Sequence, residues 1–210
     1  MRTFLLAVLL FSSVGVADMN DKKLEQMLYT ATLLTSNGGG GSGVVVYAGD
    51  GYSLIVTAQH VIRDVQDGEL FVALYPQEKE YPAKVVKTST EYDLALVRIE
   101  VEHDYVAKRA LAKLNVFDHV YKVGSGLGGN PFPTEGIISS VGDYVFQASS
   151  PIIFGDSGGG IFIRIKNDYY LVGLVISVAV ARLGPFPNVV PHMANCYDAF
   201  ALEDFFKAEQ

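Results

Sequence analysis

Short apolar runs separated by turn residues dominate the hydrophobic pattern along the first half of this chain. "GVVVY" and "SLIVT" are two such runs, and the segment between them contains Gly49-Asp50-Gly51, which is typical of a β-hairpin turn. "ELFVALYP", "EYPAKVVKTS" and "DLALVRIE" follow, and each is rich in β-branched and aromatic residues. The pattern predicts a series of short antiparallel strands.

A second series of strands is predicted after the more polar segment 101–118, which lacks strand alternation and is expected to connect two halves. "HVYKVGSG", "TEGIISSVG", "DYVFQAS" and "GGIFIRIKNDYYLVGLVISVAV" resume the short apolar runs. The last stretch, "YDAFALEDFFKAEQ", predicts a short helix over 198–208 with Asp198 as its cap. Two series of about six strands predict an all-β fold of two packed six-stranded antiparallel β-barrels, over about 28–100 and about 119–195.

The first residues have the pattern of an export signal. Arg2 precedes an apolar stretch that begins at Phe4, and small residues end this stretch at Ala17. The stretch is shorter than the ~20 residues of a membrane-spanning helix, which favours a cleaved signal over a membrane anchor. We therefore predict a signal peptide over 1–17, no stable membrane span, and one exported domain over 18–210.

Composition and charge exclude several classes of function. The 210 residues are 50% hydrophobic and 19% charged, so the chain is long and apolar enough for a sizeable core. The net charge of -7 and the absence of a Lys/Arg run argue against a nucleic-acid partner. Cys196 is the single cysteine and is expected to be a buried structural thiol. No Cys/His cluster in the sequence suggests a metal or another cofactor.

The stretch "GDSGGG" contains the residue types that a serine nucleophile requires. Gly155 allows a backbone bend that points the amides of Gly155 and Ser157 inward, where they would hold an oxyanion. Gly158 and Gly159 allow other backbone to approach closely behind the serine. A glycine-rich link between two strands would look similar, so the assignment depends on a base and an acid elsewhere in the chain.

His60 and Asp93 are the candidate base and acid. His60 follows an apolar strand in "LIVTAQHVI", although a half-buried structural histidine is the alternative interpretation. Asp93 begins the apolar strand of "EYDLALVRI", where its carboxylate needs a partner such as an imidazole N–H. The order His60, Asp93, Ser157 is that of chymotrypsin, and it predicts a site in the cleft between the two barrels.

Four segments resemble the hallmark segments of chymotrypsin-fold (trypsin-like) serine peptidases, namely "GSGVVV", "IVTAQHVI", "YDLALVRI" and "GDSGGGIF". Their pattern is closer to the bacterial Deg/HtrA-type protease domain than to digestive trypsins, and the resemblance runs from about Gly41 to Val180. It implies a catalytic triad of His60, Asp93 and Ser157, with the oxyanion hole formed by the amides of Gly155 and Ser157.

The resemblance also implies where a substrate would bind. Its substrate-pairing strand falls on Ser177, Val178 and Ala179. In this fold the residue six positions before the nucleophile lies at the bottom of the primary pocket, and here that residue is Pro151, followed by Ile152. Because these residues supply no carboxylate, we expect cleavage after small or medium aliphatic residues rather than after Arg or Lys.

Three departures from the family pattern qualify these expectations. A PDZ module usually follows the protease domain, but only about thirty residues follow Val180, so no PDZ domain is expected. Asp156 matches the aspartate that pairs with a new N-terminal ammonium in digestive trypsins. No Arg or Lys precedes an Ile-Val-Gly-Gly-like start, so we expect no such switch, and Asp156 is expected to bond local backbone or face water. The strand after the serine reads Gly173-Leu-Val-Ile-Ser177, which leaves the register around Ser177 open by one residue, and the Ser177 hydroxyl is a candidate to support Asp93.

The expected function is cofactor-independent hydrolysis of peptide bonds in a protein or peptide substrate by a serine endopeptidase. The sequence leaves three alternatives open: a catalytically silent binding protein on the same fold, an esterase, and a viral or phage processing peptidase. All three triad residue types are present, which argues against the silent protein. The sequence pattern does not indicate an oligomeric state.

Overall fold

A computed structural model describes residues 22–36, 39–66, 68–182 and 187–208. The predicted signal peptide, residues 1–17, lies outside the described residues. The described part forms two closed six-stranded antiparallel barrels with a short helix at the C-terminal end, which confirms the predicted fold class.

The first barrel has the strand order β1-β2-β3-β6-β5-β4. Its strands are β1 (Ala31–Ser36), β2 (Gly39–Gly49), β3 (Tyr52–Ala58), β4 (Phe71–Leu74), β5 (Lys79–Ser89) and β6 (Leu94–Ile99). A short helix, α1 (Lys22–Leu28), precedes β1. The predicted hairpin turn joins β2 to β3, and Asp50 and Gly51 have the positive φ angles, 55° and 85°, that a tight hairpin turn requires.

The second barrel has the order β10-β11-β12-β9-β8-β7. Its strands are β7 (His119–Gly124), β8 (Phe132–Val141), β9 (Val145–Ala148), β10 (Gly160–Ile165), β11 (Asp168–Arg182) and β12 (Pro187–Asp198). The helix α3 (Ala199–Lys207) follows β12 directly. Among the described helices, none is long and apolar enough to cross a membrane.

Strand alternation divides the apolar residues between the barrel interiors and the interface between the barrels. On β3, Ile55 points into the first barrel while its neighbour Val56 packs in the interface, because successive side chains of a strand point to opposite faces. Val123 of the second barrel packs in the same interface cluster as Val56. This shared core holds the barrels together and fixes the cleft between them.

The helix α3 packs against the interface core through Leu202 and Phe205, both of which are buried. Asp198 caps the helix, as the sequence predicts, because its carboxylate accepts a hydrogen bond from the Ala201 amide at 2.9 Å. Lys87 of the first barrel donates to the Phe205 carbonyl near the other end of the helix. The helix therefore connects both barrels.

Removal of the Asp198 cap is expected to destabilise the protein modestly. Asp198→Ala leaves the Ala201 amide without its acceptor, and we expect a loss of about 1 kcal/mol in the free energy of unfolding. Asp198→Asn is the matched control, because asparagine caps helices about as well as aspartate. Urea denaturation of the three proteins measures the difference, and equal stability of the alanine and asparagine variants would contradict the capping role.

Candidate active site

His60 and Asp93 come together because they lie at the same end of two neighbouring strands. β3 and β6 are antiparallel, and Ala58 at the end of β3 pairs with Leu94 at the start of β6. His60 follows β3 in the single helical turn α2 (Gln59–Ile62), and Asp93 immediately precedes β6. The strand register therefore places the imidazole beside the carboxylate.

The carboxylate of Asp93 holds His60 through two contacts. His60 Nδ1 lies 2.6 Å from Asp93 Oδ2, and the His60 amide donates to Asp93 Oδ1 at 2.9 Å. Because a carboxylate only accepts hydrogen bonds, this contact assigns the proton of the imidazole to Nδ1. In the neutral ring, Nε2 is then left as a proton acceptor.

The backbone at Asp93 is held in an uncommon conformation. Its φ angle is 47°, in a region that residues other than glycine seldom adopt. The Asp93 carbonyl accepts a hydrogen bond from the Gln59 amide at 2.8 Å, which helps to maintain this conformation. Such outliers concentrate at functional sites, where the surrounding structure fixes the direction of a side chain.

Ser157 lies in the turn between β9 and β10, on the second barrel's side of the cleft. Its hydroxyl donates to the Ile176 carbonyl at 3.3 Å, and among the described residues it has no hydrogen bond with His60. Ile176 lies where the register between β11 and β12 shifts between Val175 and Ser177, which is a β-bulge. Contacts between a nucleophile and its base are often loose in the absence of substrate.

Two backbone amides beside Ser157 are available to bind a negatively charged oxygen. Gly155 has a φ angle of 95°, and the preceding Phe154 carbonyl accepts a hydrogen bond from the Leu127 amide at 2.6 Å. In a trans peptide the N–H points opposite to the C=O, so the Gly155 amide points away from Leu127. Among the described residues, neither this amide nor that of Ser157 has a hydrogen-bond acceptor.

Ser42 joins the first barrel to the Ser157 loop and is fully buried. Its amide donates to the Ser157 carbonyl at 2.8 Å, and its hydroxyl donates to the Gly155 carbonyl at 2.7 Å. The same hydroxyl accepts from the Ser125 amide at 2.7 Å. The positions of Gly155 and Ser157 are thus fixed from the opposite barrel.

Asp156 is fully buried and is not exposed to water. Its Oδ2 accepts from the Ile153 amide at 2.9 Å, which is a local backbone contact of the predicted kind. The same oxygen also pairs with the ammonium of Lys122, a fully buried residue of β7. The expected bond to local backbone is therefore confirmed, the alternative of facing water is wrong, and the pairing with Lys122 was not predicted from the sequence.

The cleft that contains these groups has a volume of about 720 Å³. His60 and Asp93 line it from the first barrel, and Gly155 and Ser157 line it from the second. Its rim includes Phe154, whose side chain is 85% exposed. An exposed aromatic ring beside a cleft provides apolar surface for a ligand.

The structure places some of the residues predicted to bind substrate in the cleft and others outside it. Ile152, Ser177 and Val178 line the cleft. Pro151, expected at the bottom of the primary pocket, is exposed and does not line the cleft in the described structure, and Ala179 does not line it either. Ile152, rather than Pro151, is therefore the first residue of this segment that lines the described cleft.

Ser177 lines the cleft together with Asp93, but no hydrogen bond joins the two side chains in the described residues. Its side chain is exposed, and its hydroxyl accepts a hydrogen bond from the Asn195 side chain at 3.1 Å. The structure therefore gives no contact in support of the idea that this hydroxyl holds Asp93, which stays a prediction. The bulge at Ile176 shifts the register of β11 immediately before Ser177, and one extra residue is enough to turn the following side chain to the other face of a strand.

Cys196 is fully buried inside the second barrel, as the sequence predicts for a structural thiol. Burial raises the pKa of this thiol far above its usual range, so the thiolate nucleophile does not form at neutral pH. Among the described residues, no group of three or more His, Cys, Asp or Glu side chains is arranged to hold a metal ion.

Three residues of this region were not identified from the sequence: Ser42, Lys122 and Leu127. The signal for Lys122 is visible in the sequence, because strand alternation puts it on the same face of β7 as the buried Val120. Ser42 and Leu127 act through local geometry that only the folded backbone shows.

The fold and the site together define a two-barrel protein with a serine, a histidine and an aspartate around one cleft. A family model described as the trypsin-like peptidase domain matches residues 41–174, and the chain belongs to this family.

The curated relatives are described as probable periplasmic serine endoproteases that are DegP-like. The protein of Pseudomonas putida (strain GB-1) is 34% identical over 58% of this chain and 26% of its own length. That of Brucella suis biovar 1 is 33% identical over 69% of this chain and 28% of its own length. The matched region thus spans between a quarter and a third of each of these relatives.

Solved structures share the fold at low sequence identity. The protease Rv3671c of Mycobacterium tuberculosis H37Rv, in an inactive form, matches with a TM-score of 0.70 and 18% identity. That match covers 89% of this chain and 92% of the other. The HtrA-type protease AlgW, solved with a decapeptide, matches with a TM-score of 0.69 and 18% identity over 89% of this chain and 67% of the other.

Proposed function

We propose that this chain is a serine endopeptidase that hydrolyses peptide bonds through Ser157, His60 and Asp93. The observation that carries the proposal is the His60–Asp93 contact of 2.6 Å at the mouth of a cleft that Ser157 also lines. Membership in the trypsin-like peptidase family and the DegP-like relatives support it.

The proposed reaction begins when a substrate carbonyl enters the cleft with its oxygen between the amides of Gly155 and Ser157. The Ser157 hydroxyl turns from the Ile176 carbonyl towards His60, and Oγ attacks the carbonyl carbon while Nε2 takes the hydroxyl proton. Asp93 keeps the imidazole oriented and stabilises its positive charge. The two amides stabilise the oxyanion of the tetrahedral intermediate.

The intermediate collapses when His60 gives its proton to the leaving amine and the C–N bond breaks. The acyl group is then attached to Ser157 as an ester. Water enters, His60 takes one of its protons, and the resulting hydroxide attacks the ester carbonyl. The ester C–O bond breaks, His60 returns the proton to Ser157, and the product carboxylate leaves.

An extended peptide is proposed to bind along β11. The ladder between β10 and β11 ends where Gly160 pairs with Leu174, whereas β12 continues to pair with β11 beyond that point. The other edge of β11, from Ser177 to Ala179, is therefore available within the described residues. A substrate strand that pairs there would present its carbonyl to Ser157.

The proposal is tested by incubating the full chain with casein and, separately, with a fluorophosphonate probe that reacts with activated serines. We expect fragmentation of casein and covalent labelling of the protein. A protein that is inert to both, under conditions in which circular dichroism shows it to be folded, would exclude the proposed function. Side-by-side rates on matched ester and amide substrates distinguish a peptidase from an esterase, because only the peptidase cleaves the amide.

Profiling with a peptide library is expected to show cleavage after small or medium aliphatic residues such as Val, Ala or Leu. Ile152 and Val178 give the cleft apolar walls, and its only described carboxylate, Asp93, is engaged by His60. A dominant preference for Arg or Lys would contradict this specificity.

Ile152→Ala is expected to move the preference towards larger side chains such as Phe, by roughly tenfold in kcat/KM relative to Val. The smaller side chain enlarges the space beside the cleft wall. Ile165→Ala, at an exposed position at the end of β10, is the matched control and should leave the profile unchanged.

A catalytically silent binding protein is the second candidate. The observation that favours it is the hydrogen bond of the Ser157 hydroxyl to the Ile176 carbonyl instead of to His60. Such a protein would bind peptides along β11 without acylation. Failure of the fluorophosphonate to label a protein that still binds peptides would support this candidate.

We also infer that the protein is exported. The relatives are described as periplasmic, and residues 1–17 have the pattern of a signal peptide. Expression with and without these residues, followed by fractionation, tests the inference. Retention of the intact N-terminus in the cytoplasm would contradict it.

A further inference from the structure

Lys122 and Asp156 form a fully buried ion pair beside the proposed nucleophile. Both side chains have zero exposure, and the Lys122 ammonium lies on one carboxylate oxygen of Asp156. The ring of Phe132, 5.0 Å from the ammonium, covers Lys122. Burial lowers the pKa of Lys122, and the Asp156 carboxylate opposes this change by stabilising the charged form.

A buried ion pair of this kind requires an explanation other than stability. Removing two charges from water costs free energy that the burial of an apolar pair of similar volume does not cost. A buried ion pair is therefore weak evidence for a stabilising role. Removal of one partner is far more damaging, because it leaves an uncompensated charge in the interior. Asp156 can therefore stay buried as a charged carboxylate only while Lys122 provides the opposite charge.

The position of Asp156 connects the pair to the oxyanion hole. Asp156 lies between Gly155 and Ser157, whose amides are the proposed oxyanion donors. Its carboxylate also accepts a hydrogen bond from the Ile153 amide at 2.9 Å, which joins two residues of the same loop. A carboxylate that turned out to water would lose the Ile153 contact that closes this loop.

We propose that Lys122 and Asp156 are positioning residues that hold the loop from Gly155 to Ser157 in its oxyanion-binding conformation. This inference rests on the proposed serine-peptidase function. Lys122 supplies from within the chain the positive charge that digestive trypsins obtain from a newly cleaved N-terminus. The loop is then formed without a proteolytic activation step.

The packing around the carboxylate supports a fixed position for it. A Cβ atom at Gly124 would lie 2.8 Å from Asp156 Oδ1 and 3.1 Å from the Ser42 hydroxyl. A Cβ atom at Gly126 would lie 3.2 Å from the same carboxylate oxygen. Because Gly124 and Gly126 have no Cβ atom, the Asp156 carboxylate has room in this position.

The test compares Lys122→Met, the double variant Lys122→Met/Asp156→Asn, and the exposed control Lys84→Met. In Lys122→Met we expect kcat on a peptide substrate to fall at least ~10²-fold with KM little changed, which is the scale of losing one oxyanion donor. The double variant should recover to within roughly tenfold of the wild type. Its neutral asparagine side chain has no charge to expose and can still accept from the Ile153 amide.

Amide hydrogen exchange provides a readout that does not depend on activity. In Lys122→Met the amides of Ile153 and Leu127 should exchange faster, while the His60 amide, which is bonded to Asp93 in the first barrel, should keep its protection. A merely structural role would lower the melting temperature and leave kcat per folded molecule and these exchange rates unchanged.

Gly124→Ala keeps the test decisive if Lys122→Met does not fold. The added methyl group would displace the Asp156 carboxylate, so we expect the same loss of kcat and the same faster exchange at Ile153, while unchanged exchange at the Ser125 amide, which donates to Ser42, shows that Ser42 has not moved as well. Gly129→Ala is its control, because its nearest contact would be an ordinary 3.6 Å.

Wild-type kcat and wild-type protection at Ile153 in the folded variants would overturn the inference while leaving the proposed peptidase function intact. If the wild type hydrolyses no peptide while the Ile153 amide still exchanges faster in the variants, the proposed function alone would be refuted.

Discussion

Ser157→Ala is expected to lower kcat on peptide substrates by on the order of 10⁶-fold and to abolish fluorophosphonate labelling. The substitution removes the only atom proposed to attack the substrate carbonyl. Because the one hydrogen bond of the Ser157 hydroxyl among the described residues is its 3.3 Å contact with the Ile176 carbonyl, its loss should barely change the stability of the fold. Steady-state kinetics and thermal unfolding measure the two quantities separately.

The control for this variant is Ser140→Ala. Ser140 is an exposed serine of β8 in the same barrel, and within the described part of the chain its hydroxyl donates a hydrogen bond to the Gln147 side chain alone. We expect wild-type kinetics and wild-type labelling. Labelling that survives in Ser157→Ala would contradict the assignment of Ser157 as the nucleophile.

Asp93→Asn is expected to lower kcat by roughly 10⁴-fold with little change in KM. The asparagine side chain can donate a hydrogen bond to His60 Nδ1, which favours the imidazole tautomer with its proton on Nε2. That tautomer cannot accept the proton of Ser157. The 2.6 Å contact between Asp93 and His60 is the geometric basis of this prediction.

Asp64→Asn is the matched control for Asp93→Asn. Asp64 is exposed and lies near His60 in sequence, and its nearest cation is Arg63 at 3.7 Å. The activity of Asp64→Asn should equal that of the wild type. Comparable loss of kcat in both variants would indicate a nonspecific effect of charge removal.

The fold and the His60–Asp93 contact could be predicted because both depend on strand periodicity. The alternation of apolar residues identified β3 and β6, and both polar residues stand at the ends of those strands. Since β3 and β6 are antiparallel neighbours, His60 and Asp93 must lie close together. The sequence supplied the strand ends, the need of Asp93 for a partner such as an imidazole N–H, and the order His60, Asp93, Ser157, whereas the pairing of β3 with β6 is a finding of the structure.

The pairing of Asp156 could not be predicted in the same way, although part of the signal was present. Lys122 follows Val120 by two positions on β7 and therefore points to the same buried face. A lone cation there requires a buried anion, and Asp156 was the aspartate without an assigned partner. The distance between them depends on how the loop before Ser157 folds over β7, which sequence periodicity does not encode.

The contributions of Ser42 and Ile176 depend on backbone details of the same kind. Ser42 binds the Gly155 carbonyl across the interface between the barrels, a contact between residues 113 positions apart. The bulge at Ile176 shifts the register before Ser177, whose hydroxyl accepts a hydrogen bond from Asn195. A one-residue shift of register is enough to reverse such an assignment.

The central claim is that Ser157 is an activated nucleophile in the cleft between the barrels. The most direct measurement is mass spectrometry of the fluorophosphonate-treated wild-type protein after proteolytic digestion. We predict one covalent adduct per chain, located on Ser157 and absent when His60 is replaced by alanine. An unmodified protein, or an adduct on any other residue, would contradict the claim.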